Sequence, residues 1–194
     1  MEWMKQEMPQ HSVNIVLEIR EVLRELQLVR EKMETLYDEV EIICAGGAPR
    51  DWLHGWMARD FDFFYYLPKV SESKMVLDDH IGVKQIGDEY SYGGDSNILT
   101  VHEYRLKYKS VQLIRCVKPP LEVAAEFPIN LSQIAMNCNG EINSTSLFKH
   151  GVAGKTIQAI SPDGCRWSYL QKILPRFSDY AYIPYGWREE DESE

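Results

Sequence analysis

Between Cys44 and Leu67 the chain reads CAGGAPRDWLHGWMARDFDFFYYL, and no other stretch constrains its fold as tightly. Val40 to Cys44 is apolar and rich in β-branched residues, the mark of a short buried strand. Gly46-Gly47 turns the chain at the end of that strand, because glycine accepts backbone conformations closed to other residues. Pro49 suits the first turn of a helix and Gly55 its left-handed stop, so a helix is expected from Pro49 to His54. From Phe61 an aromatic run again reads as a buried strand, and the alternation of side chains puts Asp60 and Asp62 on one face.

This order of elements has a chemical reading. A glycine turn opening a helix presents backbone N–H groups and the positive end of the helix dipole, with no Cβ to hold an anion away. Two adjacent carboxylates repel, and a hard divalent cation such as Mg²⁺ reconciles them. A phosphate cradle beside such a pair is what metal-assisted nucleotidyl transfer requires, with one ion activating a hydroxyl and a second holding the triphosphate and leaving group. At average residue frequencies, Gly46, Gly47, Arg50, Asp51, Asp60 and Asp62 would fall together by chance in about one chain in a hundred thousand.

The run from Gly46 to Phe63 resembles the head-domain signature of the class II nucleotidyltransferases. This family comprises bacterial and eukaryotic CCA-adding enzymes and bacterial poly(A) polymerases, within the polymerase β superfamily. The resemblance implies that Gly46, Gly47 and Arg50 contact the triphosphate of an NTP substrate and that Asp60 and Asp62 bind one or two Mg²⁺ ions. Arg59 matches a position often basic in the family, and Asp51 takes a supporting role in fixing the turn. A later segment, AAEFPINLSQIAMNCNG from Ala124 to Gly140, is similar to the family's next motif: Phe127, Ile129 and Asn130 match, and Glu126 stands where an aspartate helps hold the sugar. The family's two arginines there are replaced by Ala124 and Ala125, and the third carboxylate of the superfamily by Gln112, with Glu103 on the neighbouring strand as a substitute.

Elsewhere the chain carries softer signals. Ile15, Ile19, Val22, Leu26, Val29, Met33, Leu36 and Val40 recur with gaps of four and three, which marks an amphipathic helix over residues 13–38, about 40 Å long. Val16, Leu23 and Tyr37 broaden its stripe, which suits packing on the domain's own sheet, while a homo-oligomer or partner contact through this helix stays open. Residues 1–10 are expected to lack order. Pro68 to Lys74 reads as a loop, Met75 to Ile86 as a short helix or irregular connection, and Gly87 to Ser96 as a turn-rich insertion. Asn97–Leu106 and Ser110–Val117 read as strands joined by Lys107-Tyr108-Lys109. A helix from about Arg166 to Leu174 presents Trp167, Leu170 and Leu174 on one face for packing. The aromatics Tyr180, Tyr182, Tyr185 and Trp187 read first as a structural cap and second as a base-stacking surface.

The expected fold is α+β, a small mixed sheet of the polymerase β-like nucleotidyltransferase type with helices mainly on one face, preceded by the long helix. The expected organisation is a tail and helix over 1–39, a minimal nucleotidyltransferase-like domain over 40–187 and an acidic disordered tail over 188–194. That tail carries five acids and one base, leaving −5 of the net charge of −9 to the rest, which argues against an extended nucleic-acid footprint. The four cysteines show no paired metal spacing and read as reduced, buried thiols. With no signal peptide and no membrane-length apolar run, a cytoplasmic location is expected. The segment after Ile160 contains no Glu-Asp-x-x-Arg motif of the kind that selects bases in the family's neck domain, so synthesis of a complete CCA end is not expected. A minimal head of this kind resembles compact nucleotidyltransferase-like proteins of bacteriophages. Two readings stay open: transfer of an NMP to an RNA 3′ end, a protein or a small-molecule hydroxyl, or a catalytically degenerate fold that binds nucleotides or proteins.

Overall fold

The computed structural model describes residues 2–7, 9–10, 12–69, 84–87 and 97–187. Its strands are β1 (Trp3–Lys5), β2 (Glu41–Ala45), β3 (Phe61–Tyr66), β4 (Lys84–Gly87), β5 (Ile98–Leu106), β6 (Lys109–Cys116), β7 (Ile134–Met136), β8 (Ile142–Thr145), β9 (Thr156–Gln158) and β10 (Ala181–Ile183). The helices are α1 (Val13–Glu34), α2 (Gly47–Leu53), α3 (Pro120–Ala125), α4 (Ser146–Gly154) and α5 (Trp167–Ile173). Eight strands form one sheet in the order β1-β8-β7-β2-β3-β6-β5-β4. Every neighbouring pair is antiparallel except β3 and β6, so the sheet is mixed and the fold α+β, as expected.

Helix α1 lies on this sheet. Its buried residues Ile15, Val22, Leu26, Val29 and Met33 join Cys44, Phe63 and Leu113 in the main core, together with Trp52 of α2 and Phe148 of α4. The opposite face is covered at one end by α3, whose Val123 and Ala124 pack on Ile43, Phe64 and Ile114. A smaller third cluster, built on Ile129, Ile157, Leu170, Ile173 and Phe177, binds α5 and the β9–β10 pair to the body.

Several local expectations need correction. Helix α1 stops at Glu34 rather than near Asp38, because Thr35 caps it and its Oγ1 donates to Lys32 O at 2.7 Å. Leu36 accordingly leaves the stripe and is exposed. The buried stripe also contains Glu18, while Ile19 is only partly buried. Residues 3–5 form an edge strand, with Trp3, Met4 and Lys5 opposite Thr145, Ser144 and Asn143. The hairpin between β5 and β6 needs only Lys107 and Tyr108, with Lys107 at φ 57°. Trp167 does not pack but is 70% exposed; the buried residues of α5 are Leu170 and Ile173. All four cysteines are free, with Cys165 exposed rather than buried. The Gly87 to Ser96 insertion beyond Gly87, most of Met75 to Ile86, part of the Pro68 to Lys74 loop and the 188–194 tail lie outside the described residues. Among the described residues no helix is long and apolar enough to cross a membrane.

Candidate functional site

The glycine turn forms as its residues dictate. Gly46, the residue before α2, has φ 80°, and Gly55 closes the helical segment at φ 79°. A Cβ on Gly46 would stand 3.4 Å from the Phe127 ring, which backs the turn from the α3 side. The Gly46 N–H is engaged, donating to Ile134 O at 2.9 Å, so the donors left at the turn are the N–H groups of Gly47 and Ala48, Pro49 having none.

Beside the turn stand the two aspartates. Asp60 is exposed just before β3, and Asp62 is partly buried within it. Burial and then the charge of Asp60 push the Asp62 carboxyl up to about 7, against the opposing pull of Lys172 and Arg50. Gln112 of β6 is the Cα partner of Asp62, and Glu103 of β5 is the Cα partner of Gln112 on its other side. Paired residues share a face, so the three side chains form a row. Glu103 is two strands from Asp62, about 10 Å at ordinary strand spacing, and accepts a hydrogen bond from Ser110 Oγ.

Arg50 is buried, its Nε and Nη2 donating to Asp51 Oδ1 at 3.0 and 2.9 Å. Its Nη2 lies 3.7 Å from where a Gly47 Cβ would be, so the guanidinium folds back over the turn. The same Asp51 accepts at Oδ2 from Arg176 Nη1. Asp51 is thus a buried carboxylate gripped by two guanidinium groups, and it ties the segment after α5 to the signature helix. Phe177 completes that join, with its ring 5.6 Å from Arg50 Cζ and 5.1 Å from the Trp56 ring.

On the other side, Glu18 of α1 fixes the chain that delivers the aspartates. Its Oε1 accepts from Trp52 Nε1 at 2.7 Å and Ala58 N at 2.8 Å, and its Oε2 from Lys109 Nζ. Neither this residue nor Tyr169, Lys172 and Arg176 around α5 was singled out for the site from sequence. The one available signal was a carboxylate at i+3 from Ile15 and i−4 from Val22, inside a buried stripe.

The remaining sequence candidates separate. Arg59 is exposed next to Asp60. Glu126 is exposed and pairs with Lys118 Nζ at 2.6 Å and Asn97 Nδ2 at 3.1 Å. Asn130 is buried and, among the described residues, bonds to backbone: Oδ1 accepts from Leu131 N and Gln158 N at 2.8 and 2.9 Å, and Nδ2 donates to Thr156 O at 3.2 Å. Ala124 of α3 is fully buried against the sheet, where an arginine would have no room.

The donor set suits Mg²⁺ better than a metal that demands an all-protein cage. No cluster of three or more His, Cys, Asp or Glu among the described residues could hold an ion. Mg²⁺ is content with one or two carboxylates, completing its shell with water and substrate phosphates. The Asp62 carboxyl is raised first by burial and then by the charge of Asp60, and a bound cation would oppose both.

No protein-family model and no curated protein sequence matches the chain. Solved structures do resemble it. The Thermotoga maritima CCA-adding enzyme complexed with tRNA_CCA aligns with a TM-score of 0.58 at 11% identity, over 94% of this chain and 43% of that one. A CCA-adding enzyme in complex with CTP gives 0.58 at 12% identity, over 94% and 44%. The Bacillus stearothermophilus CCA-adding enzyme with CTP gives 0.54 at 14%, over 86% and 41%. This is the nucleotidyltransferase fold. The chain spans less than half the length of these structures, and the likeness at such low identity is one of fold.

Proposed function

We propose that the protein is a Mg²⁺-dependent nucleotidyltransferase that moves an NMP from an NTP to a hydroxyl acceptor and releases pyrophosphate. The observation that carries this reading is the placement of Asp60 and Asp62 beside the Gly46-Gly47 turn, with Arg50 folded over it. Asp60 and Asp62 would hold the metal, which would supply the positive charge that acidifies the acceptor hydroxyl and screens the leaving pyrophosphate. Gly47 lets the triphosphate approach the backbone, and Arg50, aligned by Asp51, neutralises it. The acceptor hydroxyl gives up its proton to solvent and its oxygen bonds to the α-phosphorus as the bond from that phosphorus to the α–β bridging oxygen breaks, the bridging oxygen leaving with the pyrophosphate. Phe127 and Glu18 keep the turn and the aspartate loop in register for this geometry.

CCA-adding enzymes of this fold have been solved with CTP, with ATP and with tRNA, which favours an NTP substrate and makes an RNA 3′ end the first acceptor to test. The second reading, a degenerate nucleotide-binding fold, draws on Gln112 where a third carboxylate would strengthen metal binding. Label transfer separates the two. Purified protein with Mg²⁺ is given each α-labelled NTP with total cellular RNA, with Asp60→Asn/Asp62→Asn as control. Label in RNA or protein that is absent from the control establishes the transferase. Absence of transfer with every NTP from a folded protein favours the degenerate reading.

A further inference from the structure

We propose that Lys172 binds the phosphates of the nucleotide substrate, as a cation delivered from the C-terminal helix α5; the inference rests on the nucleotidyl-transfer reading above. Most of the positive charge around the aspartates is already committed. Arg50 and Arg176 both grip Asp51, Lys109 is held by Glu18, and Lys118 by Glu126. Lys172 is exposed and has no hydrogen bond or ion pair among the described residues. Arg59 shares that freedom but lies on the loop at Asp60.

The helix geometry aims Lys172 at the site. Helical hydrogen bonds continue past α5, from Leu174 N to Leu170 O at 2.9 Å and from Phe177 N to Ile173 O at 3.3 Å. Tyr169, Lys172 and Arg176 therefore fall at i, i+3 and i+7 on one face. Tyr169 docks that face on the body, its hydroxyl 3.0 Å from Ser132 Oγ. Arg176 docks the other end on Asp51, the residue that orients Arg50 over the glycine turn. Lys172 lies between the two anchors, on the same face of the helix.

With a divalent ion on Asp60 and Asp62, the local negative charge that Lys172 faces is largely neutralised. An incoming triphosphate restores it, and a lysine serves such an anion as a flexible point charge. Because Arg176 ties the same segment to Asp51, phosphate binding by Lys172 makes α5 part of the substrate pocket rather than a packing appendage.

Equilibrium titration with each of the four NTPs and the matching NMPs in Mg²⁺, without acceptor, tests this. Lys172→Ala should weaken the best-bound NTP by about tenfold or more and its NMP by less than about twofold, with Lys172→Arg within about threefold of wild type. The exposed position leaves thermal unfolding unchanged, which the same samples verify. An unaltered NTP affinity in Lys172→Ala overturns the inference and leaves the transferase reading standing, as does an equal loss for NTP and NMP. Wild-type protein that binds no NTP at all overturns both.

Discussion

Glu18 of α1 and Lys109 at the start of β6 form an ion pair beneath Ala58, and Lys109 Nζ also donates to Ala58 O at 2.6 Å. One buried carboxylate therefore joins the long helix, the indole of α2 and the loop that carries Asp60. The loop that carries Asp60 is thus held in part by a helix outside the signature.

Glu18→Ala strands the Trp52 indole N–H and the Ala58 N–H without their acceptor and removes the carboxylate partner of the Lys109 ammonium, which keeps Ala58 O. Breaking one side of a buried pair costs about 3–5 kcal/mol, or roughly 10 °C in Tm for a domain of this size. Calorimetry should show that loss, and a smaller one for Glu18→Gln, which keeps an acceptor for Trp52. Equal stability of Glu18→Ala and wild type would falsify the anchoring role.

The Asp62 carboxyl gives the metal-free protein a pH-dependent stability. In the unfolded chain it titrates near its ordinary value of 3.8, in the folded one at about 7. Below pH 4 both states hold the proton; between 4 and 7 the unfolded state releases it while the folded state does not, so stability falls as pH rises through that window. Discounted for partial exposure, the penalty is on the order of 1–3 kcal/mol. In EDTA at pH 8, Asp62→Asn should therefore melt a few degrees above wild type. Saturating Mg²⁺ should reverse that order by stabilising only the wild type.

Gln112 faces Asp62 from the adjacent strand, and a carboxylate there would complete a three-residue set. Gln112→Asp should tighten Mn²⁺ binding by about tenfold in titration calorimetry at pH 8, by adding one hard oxygen ligand and one negative charge. Unchanged affinity would mean that position 112 does not reach the ion.

At the far end of the domain, a Cβ on Gly151 would sit 2.2 Å from Asn130 Nδ2 and 2.9 Å from Thr156 O. Gly151→Ala should cost about 1–3 kcal/mol of stability by overpacking. Adding Asn130→Ala vacates the first clash, so denaturant unfolding of the double variant should lose less than the sum of the singles.

The legible parts of this molecule were local. Gly46 and Gly55 act through backbone dihedrals set by a single residue and mark the turn and the helix end where expected, while the helix opens at Gly47, two residues before the expected Pro49, and ends at Leu53. Strands β3, β5 and β6 were readable because aromatic and β-branched residues suit a pleated, buried surface. What could not be read were pairings between distant residues. Glu18 finds Lys109, and Asp51 finds Arg176, only once the chain has folded around them. Strand β1 is three residues long, too short to show an alternation, and is held by the edge of β8. Trp167 misled because an indole in an amphipathic pattern reads as core, while in this helix the packing belongs to Leu170 and Ile173.

The single parallel pairing in the sheet also sets an order of assembly. Strands β5 and β6 close on a two-residue turn, and β2 and β3 on the short signature segment, whereas β3 meets β6 only after the chain has crossed over through β4 and β5. Loop-closure entropy makes such a contact slower to form than the local ones. The row from Asp62 to Gln112 lies on the one pairing of this sheet that joins its two locally connected parts, β2–β3 and β5–β6. A nascent or partly opened chain thus carries both aspartates without Gln112 and Glu103 lined up beside them until the whole sheet has closed.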